Sequence, residues 1–253
     1  MNSKSFLVVF VYIILSKNLF AQSDTLYIMK NGMIVTEFAQ NRIDSIVFDH
    51  PEIDSHGTFM DLRDSNIYST IIIGNQVWMA ENLRYLPQIT STVLANYSSP
   101  CYFVHNYYGG ILSVAKNSCN YRDYGTLYTH YSATLVCPPG WHLPSFQEYS
   151  ELFNFLGGDT IAGAKMRVTG FEFWNEPNLN ATNEVGFNLL PGGCMNHQNG
   201  TFIHIGESAY LWTSSEISGT LAIALNFWRA NKGVTYTSYL KRFGLSVRCI
   251  QNN

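Results

Sequence analysis

Charged side chains are scarce in this sequence. They make up 13% of its 253 residues, and the formal net charge is only −3. A surface that binds nucleic acid needs clustered lysine and arginine side chains. The composition therefore argues against a nucleic-acid partner.

Long hydrophobic runs are also missing. The apolar stretch at residues 6–15 has about ten residues, whereas a membrane-spanning helix needs roughly 20. The later apolar runs at residues 71–73 and 221–225 have the length of strands. We therefore predict no membrane span in the mature chain.

Several motifs of catalytic and metal sites are absent from the chain. It has no CxxC pair, no HExxH, no GxSxG and no phosphate-binding glycine loop. These absences favour a non-enzymatic protein without a cofactor.

The first residues have the pattern of a secretory signal peptide. Lys4 supplies a positive charge, residues 6–15 supply a short apolar core, and the small residue Ala21 precedes a polar start at Gln22. We predict that residues 1–21 are cleaved and that the mature protein is secreted or held at the cell surface.

The mature chain begins with a predicted β-meander over residues 22–52. Asn31-Gly32 is a strong hairpin-turn signal because both residues tolerate positive φ. The apolar runs that it would connect and extend lie at residues 26–29, 33–38 and 43–48. Pro51 then marks a boundary, and we predict one main domain over residues 57–251.

The main domain is predicted to combine short strands with few helices. Ser145 and Glu148 have the spacing of a capping box, and Gly157-Gly158 would end the helix that follows. A weaker helix is predicted over residues 161–168, and residues 97–124 are predicted to be largely loop with a short helix at 113–116. Strands are predicted in a hairpin at residues 67–79 and at residues 186–190, 201–205, 210–213, 221–228, 234–239 and 245–250. The pattern indicates an α+β fold with mostly antiparallel strands.

A set of motifs in fixed order resembles one known family. They are DLRD (61–64) with Tyr68, IGNQVWMAENLRY (73–85), YGTLY (124–128), CPPGWHLPS (137–145), ATNEVGF (181–187), LPGG (190–193), LWTSSE (211–216) and GLSVRCI (244–250). Over residues 61–250 the chain is similar to the Fibrobacter succinogenes major paralogous domain, found in secreted and surface proteins of that genus and of Bacteroidetes. The family is similar in outline to the C-type lectin-like fold, so the resemblance implies that architecture.

The resemblance also implies one disulfide. Cys137 and Cys249 occupy positions that approach each other in that fold, and their bridge would close a loop of about 110 residues, worth roughly 4–5 kcal/mol. Cys101 and Cys119 bracket a loop-rich segment and are predicted to form a second bridge, the alternative being that both are unpaired. Cys194 would then be a free and incidental thiol.

The tripeptide Glu176-Pro177-Asn178 is a candidate calcium site. Calcium-dependent C-type lectins use the same tripeptide, and Glu184 lies near enough in sequence to supply another oxygen. However, Ca²⁺ takes 6–8 oxygen ligands, and the Trp-Asn-Asp element that completes such sites is missing. The alternative is a turn in which proline presets φ and asparagine bonds its own backbone.

Aromatic side chains are the second group of candidates. Trp78, Trp141 and Trp212 lie within apolar motifs and are predicted to be core residues. The candidates for exposed, sugar-stacking positions are Trp174, Trp228, Tyr107 and Tyr108.

Taken together, the sequence favours an exported, non-enzymatic binding or adhesion module whose partner is a glycan or a surface protein. One alternative is a structural subunit that assembles through the β-meander. Another is an enzyme related to the formylglycine-generating group, whose chemistry requires a reactive cysteine pair.

Overall fold

The computed structural model describes residues 25–30, 33–39 and 56–252. The chain divides into two compact units, residues 1–53 and 54–253. In the first unit, strand β1 (Thr25–Lys30) pairs antiparallel with β2 (Met33–Ala39), as predicted. The predicted signal peptide, the turn at residues 31–32 and the predicted run at residues 43–48 lie outside the described residues.

The second unit contains a five-stranded sheet. Its strands are β3 (His56–Met60), β4 (Ile67–Ile73), β5 (Gln76–Met79), β8 (Trp141–His142) and β15 (Ile250–Gln251). Their order is β3-β4-β5-β15-β8, so β15, near the end of the chain, lies between β5 and β8. The predicted hairpin at residues 67–79 is confirmed, with Gly74 at φ 61° in its turn.

An eight-stranded sheet forms the rest of the β-structure in this unit. Its strands are β6 (Tyr102–Phe103), β7 (Leu127–Tyr128), β9 (Gly192–Asn196), β10 (Thr201–Ile205), β11 (Ser208–Glu216), β12 (Leu221–Trp228), β13 (Thr235–Leu240) and β14 (Leu245–Ser246). The main path runs β10-β9-β11-β14-β7-β6, while β12 pairs with both β11 and β13. Only β11 makes parallel pairs in this sheet, with β9 and β14, so the prediction of mostly antiparallel strands is confirmed.

Five α-helices lie among these strands in the described residues. They are α1 (Leu112–Lys116), α2 (Cys119–Tyr124), α3 (His130–Val136), α4 (Phe146–Phe155) and α5 (Asp159–Met166). The predicted capping box begins α4: Ser145 Oγ accepts from the Glu148 amide at 3.2 Å, and Glu148 Oε2 accepts from the Ser145 amide at 2.7 Å. The α+β class is therefore confirmed.

The prediction of a strand at residues 186–190 is wrong. Only an isolated bridge between Leu189 and Arg167 forms there. The next segment forms strand β9 although it begins with the two glycines Gly192 and Gly193. Gly193 has φ 63°, and a Cβ at this position would lie 2.3 Å from the Ile203 carbonyl oxygen, so glycine is what allows β9 and β10 to pair this closely.

Two helices in the segment after residue 117 also escaped prediction. α2 and α3 are only 6 and 7 residues long, too short for a convincing apolar period. Ser118 nevertheless caps α2 by accepting from the Tyr121 amide at 3.2 Å.

The core position of Trp78, Trp141 and Trp212 is confirmed, because all three are buried. None of the described helices is long and apolar enough to cross a membrane.

The cysteines give one confirmation and one correction. Cys137 and Cys249 are disulfide-bonded with a Cα–Cα distance of 5.9 Å, as the family resemblance implied. The predicted Cys101–Cys119 bridge is wrong, because both thiols are free: Cys101 is buried with its sulfur 3.5 Å from the Ser99 carbonyl, whereas Cys119 is exposed at the start of α2. Cys194 is free, as predicted, and buried.

Replacing both Cys137 and Cys249 with serine is expected to lower the free energy of unfolding by about 2–5 kcal/mol. The bridge joins residues 112 positions apart and so restricts the unfolded chain. Urea denaturation without reductant measures the change. Cys119→Ser is the matched control and should change stability by less than about 0.5 kcal/mol, because this thiol is exposed and free. Equal stability of the double variant and the control would contradict the prediction.

A buried histidine makes a second stability prediction. His105 packs against Phe202 at 5.2 Å, and burial lowers the pKa of His105 to about 4. Its pKa in an unfolded chain is about 6.5. As the pH falls between these values, the unfolded state takes up a proton that the folded state does not, so stability should decrease by up to about 1.4 kcal/mol per pH unit.

His105→Gln is expected to remove this share of the pH dependence. Other histidines are present in both proteins, so subtracting the two unfolding free energies at each pH isolates His105. Urea denaturation between about pH 7 and pH 4 measures the difference. A constant difference between the two proteins across that range would show that His105 has no lowered pKa.

Candidate functional site

The last segment of the chain passes from one sheet of the second unit to the other. It leaves the eight-stranded sheet at β14 and joins the five-stranded sheet at β15. Between these strands, Val247 O accepts from the Leu83 amide at 2.8 Å, and Cys249 O accepts from the Met79 amide at 3.1 Å. Arg248 is therefore held at the point where the two sheets meet.

The Arg248 side chain is buried, with 1% of its surface exposed. Its guanidinium donates to Asn82 Oδ1 at 2.9 Å and to the carbonyl oxygens of Phe187 and Asn188, and it lies 4.2 Å from the centre of the Phe187 ring. Among the described residues, no carboxylate forms an ion pair with it. Burial lowers the pKa of Arg248 to about 10, so the group remains charged at neutral pH.

A cleft opens beside Arg248. Its first part has a volume of about 280 Å³, close to the lower end of the usual range for small-ligand sites. It is lined by Ala80, Glu81, Asn82, Arg84, Arg122, Asp123, Gly125, Val168, Phe173, Asn188, Leu190 and Arg248.

A second, more open part shares Arg84 and Arg122 with the first. Its volume is about 510 Å³, and it is lined by Asn66, Arg84, Lys116, Asn117, Ser118, Tyr121 and Arg122. We call the two parts together the two-part cleft. Its residues come from distant stretches of the sequence, including the segment after β5, helix α2 and the loop at 168–190.

Arg84 has a fixed orientation at the junction of the two parts. Its guanidinium lies 4.7 Å from the Tyr68 ring centre, donates to Ile67 O at 2.6 Å and pairs with Glu81. Burial would raise the pKa of Glu81, but hydrogen bonds from the Ser69 amide and from Arg84 outweigh burial and leave that pKa below its ordinary value. Glu81 is therefore a carboxylate at neutral pH.

Helix α2 positions the other shared arginine. The Tyr121 hydroxyl donates to Arg84 O at 2.8 Å and ties the helix to the segment after β5. Gly125, at φ 80°, lets the chain approach closely, because a Cβ there would lie 2.7 Å from Leu83 O. Arg122 pairs with neighbouring Asp123 at 2.8 Å, yet its side chain is 72% exposed and can turn toward a ligand.

The two-part cleft is suited to binding a small polar molecule. Guanidinium and amide groups supply hydrogen-bond donors, while Val168, Phe173 and Leu190 supply apolar surface. Both lining carboxylates, Glu81 and Asp123, are already paired with arginine. In the described part of the chain, no group of three histidine, cysteine, aspartate or glutamate side chains could hold a metal ion.

The calcium candidates are engaged in separate contacts. Asn178 is buried, and its amide nitrogen donates to Val168 O and Gly170 O, both at 2.9 Å. Glu184 pairs with Lys165 at 2.8 Å, and the Glu176 backbone oxygen accepts from Arg229. The Asn178 amide thus braces the loop from within, which accords with the alternative of a structured turn. Calcium binding by these residues stays a prediction.

Among the aromatic candidates, exposure of Trp174 is a wrong prediction. Trp174 is 1% exposed, donates to Leu189 O at 3.0 Å and lies 5.2 Å from the Arg167 guanidinium. Local composition suggested a loop tryptophan, but the loop folds its ring into the core. Trp228 is half-buried, with the Arg229 guanidinium 5.5 Å from its ring.

The two tyrosine candidates differ in exposure. Tyr107 is half-buried, and its hydroxyl bonds the amide and the carbonyl of Ile111 at 3.0 and 2.9 Å, which closes the loop. Tyr108 is 64% exposed and packs against Phe202 at 5.1 Å. Neither tyrosine lines the two-part cleft, and neither does Trp174 or Trp228.

The cleft residues Arg84, Arg122 and Arg248 were not among the sequence-based candidates. One signal was available, since Arg248 interrupts the otherwise uncharged segment GLSVRCI. A charge inside an apolar, core-forming segment must be hydrogen-bonded when it is buried and therefore marks a special environment. The partners of Arg248 lie about 60 and 166 positions away in the chain, so only the fold reveals them.

Comparison with known proteins gives one match. The family model described as the Fibrobacter succinogenes major domain matches residues 71–251. This range includes every residue of the two-part cleft except Asn66. No curated protein and no solved structure matches the chain.

Removing the side-chain acceptor of Arg248 is expected to destabilise the protein. Asn82→Ala leaves a buried guanidinium short of one hydrogen bond and removes the donor to Tyr124 O, at a cost of about 1.5–3 kcal/mol. Asn117→Ala is the control, because Asn117 is exposed at the same cleft. Thermal and urea unfolding measure both variants. If Asn82→Ala is no less stable than Asn117→Ala, Arg248 does not depend on this contact.

Proposed function

The chain belongs to the Fibrobacter succinogenes major domain family, and we propose that it is an exported, non-enzymatic binding module whose ligand site is the two-part cleft. The observation that carries this proposal is the cleft itself, where arginine and amide groups from distant segments converge beside an apolar wall. Binding residues held by a rigid framework are typical of ligand sites.

We propose a C-type lectin-like arrangement for the second unit. In support, its last strand β15 lies between β5, from the start of the unit, and β8, from its middle, and the Cys137–Cys249 bridge links the helix-bearing segment to the end of the chain. A long loop at residues 168–190 extends from this framework and is braced by Asn178.

A glycan is the ligand that we favour over a protein. The first part of the cleft is small and concave, whereas a stable protein interface buries about 800 Å² on each partner. Half-buried Phe173 lines this part and packs edge-on against Tyr124 at 6.3 Å. An aromatic face beside hydrogen-bonding groups suits a pyranose ring, which is apolar on one face and polar at its rim.

Export is supported by two features. The first 21 residues have the pattern of a signal peptide, and disulfides such as Cys137–Cys249 persist mainly in oxidising compartments.

The cysteines also favour binding over the chemistry of the formylglycine-generating group. That chemistry needs a reactive thiol pair, but Cys137 and Cys249 are bonded to each other. Of the three free thiols, Cys101 and Cys194 are buried and only Cys119 is exposed, so the described residues offer no pair of accessible thiols. Burial raises the pKa of the Cys194 thiol to about 12, which leaves almost no reactive thiolate at neutral pH.

A structural assembly role is the second candidate. The antiparallel pair β1–β2 belongs to a compact unit of its own. A two-stranded sheet is marginally stable alone, and its edges can pair with a strand of another protein.

Deleting residues 24–48 would abolish assembly under this alternative but spare ligand binding under the main proposal.

Residues 22–253 are expected to bind saccharides on a glycan array, and Phe173→Ala should reduce the bound signal at least several-fold. Phe171→Ala is the matched control, because Phe171 is exposed and does not line the cleft. The array is run with and without millimolar calcium. We expect binding in both conditions, because the cleft uses no calcium ligand.

Two outcomes would count against the proposal. Absence of binding to every saccharide would remove the glycan function. Calcium-dependent binding that is lost in Glu176→Ala but kept in Phe173→Ala would show that the ligand binds at the calcium candidates and not in the two-part cleft.

A further inference from the structure

Positive charge exceeds negative charge around the two-part cleft. Its lining contains the cations Lys116, Arg84, Arg122 and Arg248 and the carboxylates Glu81 and Asp123. The chain as a whole has the opposite sign, with a formal charge of −3. The cleft is therefore a local site of positive potential on an acidic protein.

Two of these cations have no carboxylate partner within the described residues. Arg84 pairs with Glu81, and Arg122 pairs with Asp123, but no ion pair involves Lys116 or Arg248. A buried charge is normally paired, because removing it from water is costly. Arg248 instead has only neutral hydrogen-bond acceptors, and the Glu81 carboxylate that acts on it through space is already paired with Arg84.

The guanidinium of Arg248 is also rigid. Three oxygen acceptors and the Phe187 ring fix its orientation before any ligand arrives. A fixed charge in a poorly solvated position acts on a nearby anion more strongly than a solvated surface charge does. Arg248 thus provides the field, while exposed Arg122 and neighbouring Lys116 are placed to contact the ligand.

We infer that the two-part cleft selects an acidic saccharide, in which a ring carboxylate contacts exposed Arg122 within the field of Arg84 and Arg248 and the sugar ring packs on Phe173. This inference rests on the proposed binding function and names its ligand class. Arginine matches a carboxylate with two parallel hydrogen bonds. The adjacent Phe173, Val168 and Leu190 surface favours a saccharide over an acidic peptide, because it gives the pyranose ring an apolar contact beside its charge.

Isothermal titration of residues 22–253 with trigalacturonate tests the inference. Its methyl ester has the same sugar chain without the charges and is expected to bind at least about tenfold more weakly. Arg122→Gln should also weaken trigalacturonate binding about tenfold, and Lys116→Gln by a smaller factor. Raising the salt concentration should weaken binding, because ions screen exposed charges.

Lys232→Gln is the matched control. It removes the same charge from an exposed position that does not line the cleft, so trigalacturonate binding should be unchanged. Circular dichroism checks that each variant is folded. Arg122 is exposed and its side chain bonds only Asp123 and Cys119 of the same short helix, so its replacement should leave the fold intact.

The inference is overturned if the methyl ester binds as tightly as trigalacturonate, or if Arg122→Gln binds no more weakly than Lys232→Gln. Equally tight binding of triglutamate would also overturn it, in favour of an acidic peptide. A further outcome would separate this inference from the proposed function. If neutral saccharides bind as tightly as acidic ones and Phe173→Ala weakens their binding, the acidic preference is refuted but the glycan-binding proposal is retained.

Discussion

The second unit depends on how the segment from β14 to β15 is held between the two sheets. Backbone bonds to Leu83 and Met79, the Cys137–Cys249 bridge and the hydrogen bonds of Arg248 all act on this one stretch. Without these contacts, the segment that connects the two sheets would not be held in place. Strands β14 and β15 would then lose their positions in the eight-stranded and five-stranded sheets. The placement of a full charge here is costly in isolation, and its neutral partners offset part of that cost.

The same constraint forms the cleft. The Arg248 guanidinium donates hydrogen bonds to Asn82 Oδ1 and to the carbonyl oxygens of Phe187 and Asn188. These bonds hold the segment after β5 beside the loop at 168–190. The Arg248 charge has no ion-pair partner in the described residues and contributes to the positive potential of the cleft together with Lys116, Arg84 and Arg122. A residue that stabilises the framework therefore shapes the ligand preference that we propose.

Local signals in the sequence predicted the local structure well. The capping box at Ser145, the hairpin at Gly74-Asn75 and strand β12 depend on neighbouring residues and are confirmed. Exposure of Trp174 was predicted wrongly, because burial of a loop residue depends on residues that are distant in sequence, such as Phe227 in the same core cluster. The cleft was missed for the same reason, since its lining residues come together only when the sheets join.

The most direct test of the cleft as the binding site is an NMR titration of ¹⁵N-labelled residues 22–253 with trigalacturonate. We predict that the largest amide shifts occur at Asn82, Gly125 and Asn188, which line the first part of the cleft. Shifts concentrated at Tyr108 and Trp228, with none at these three residues, would contradict it and place the ligand on the aromatic candidates instead.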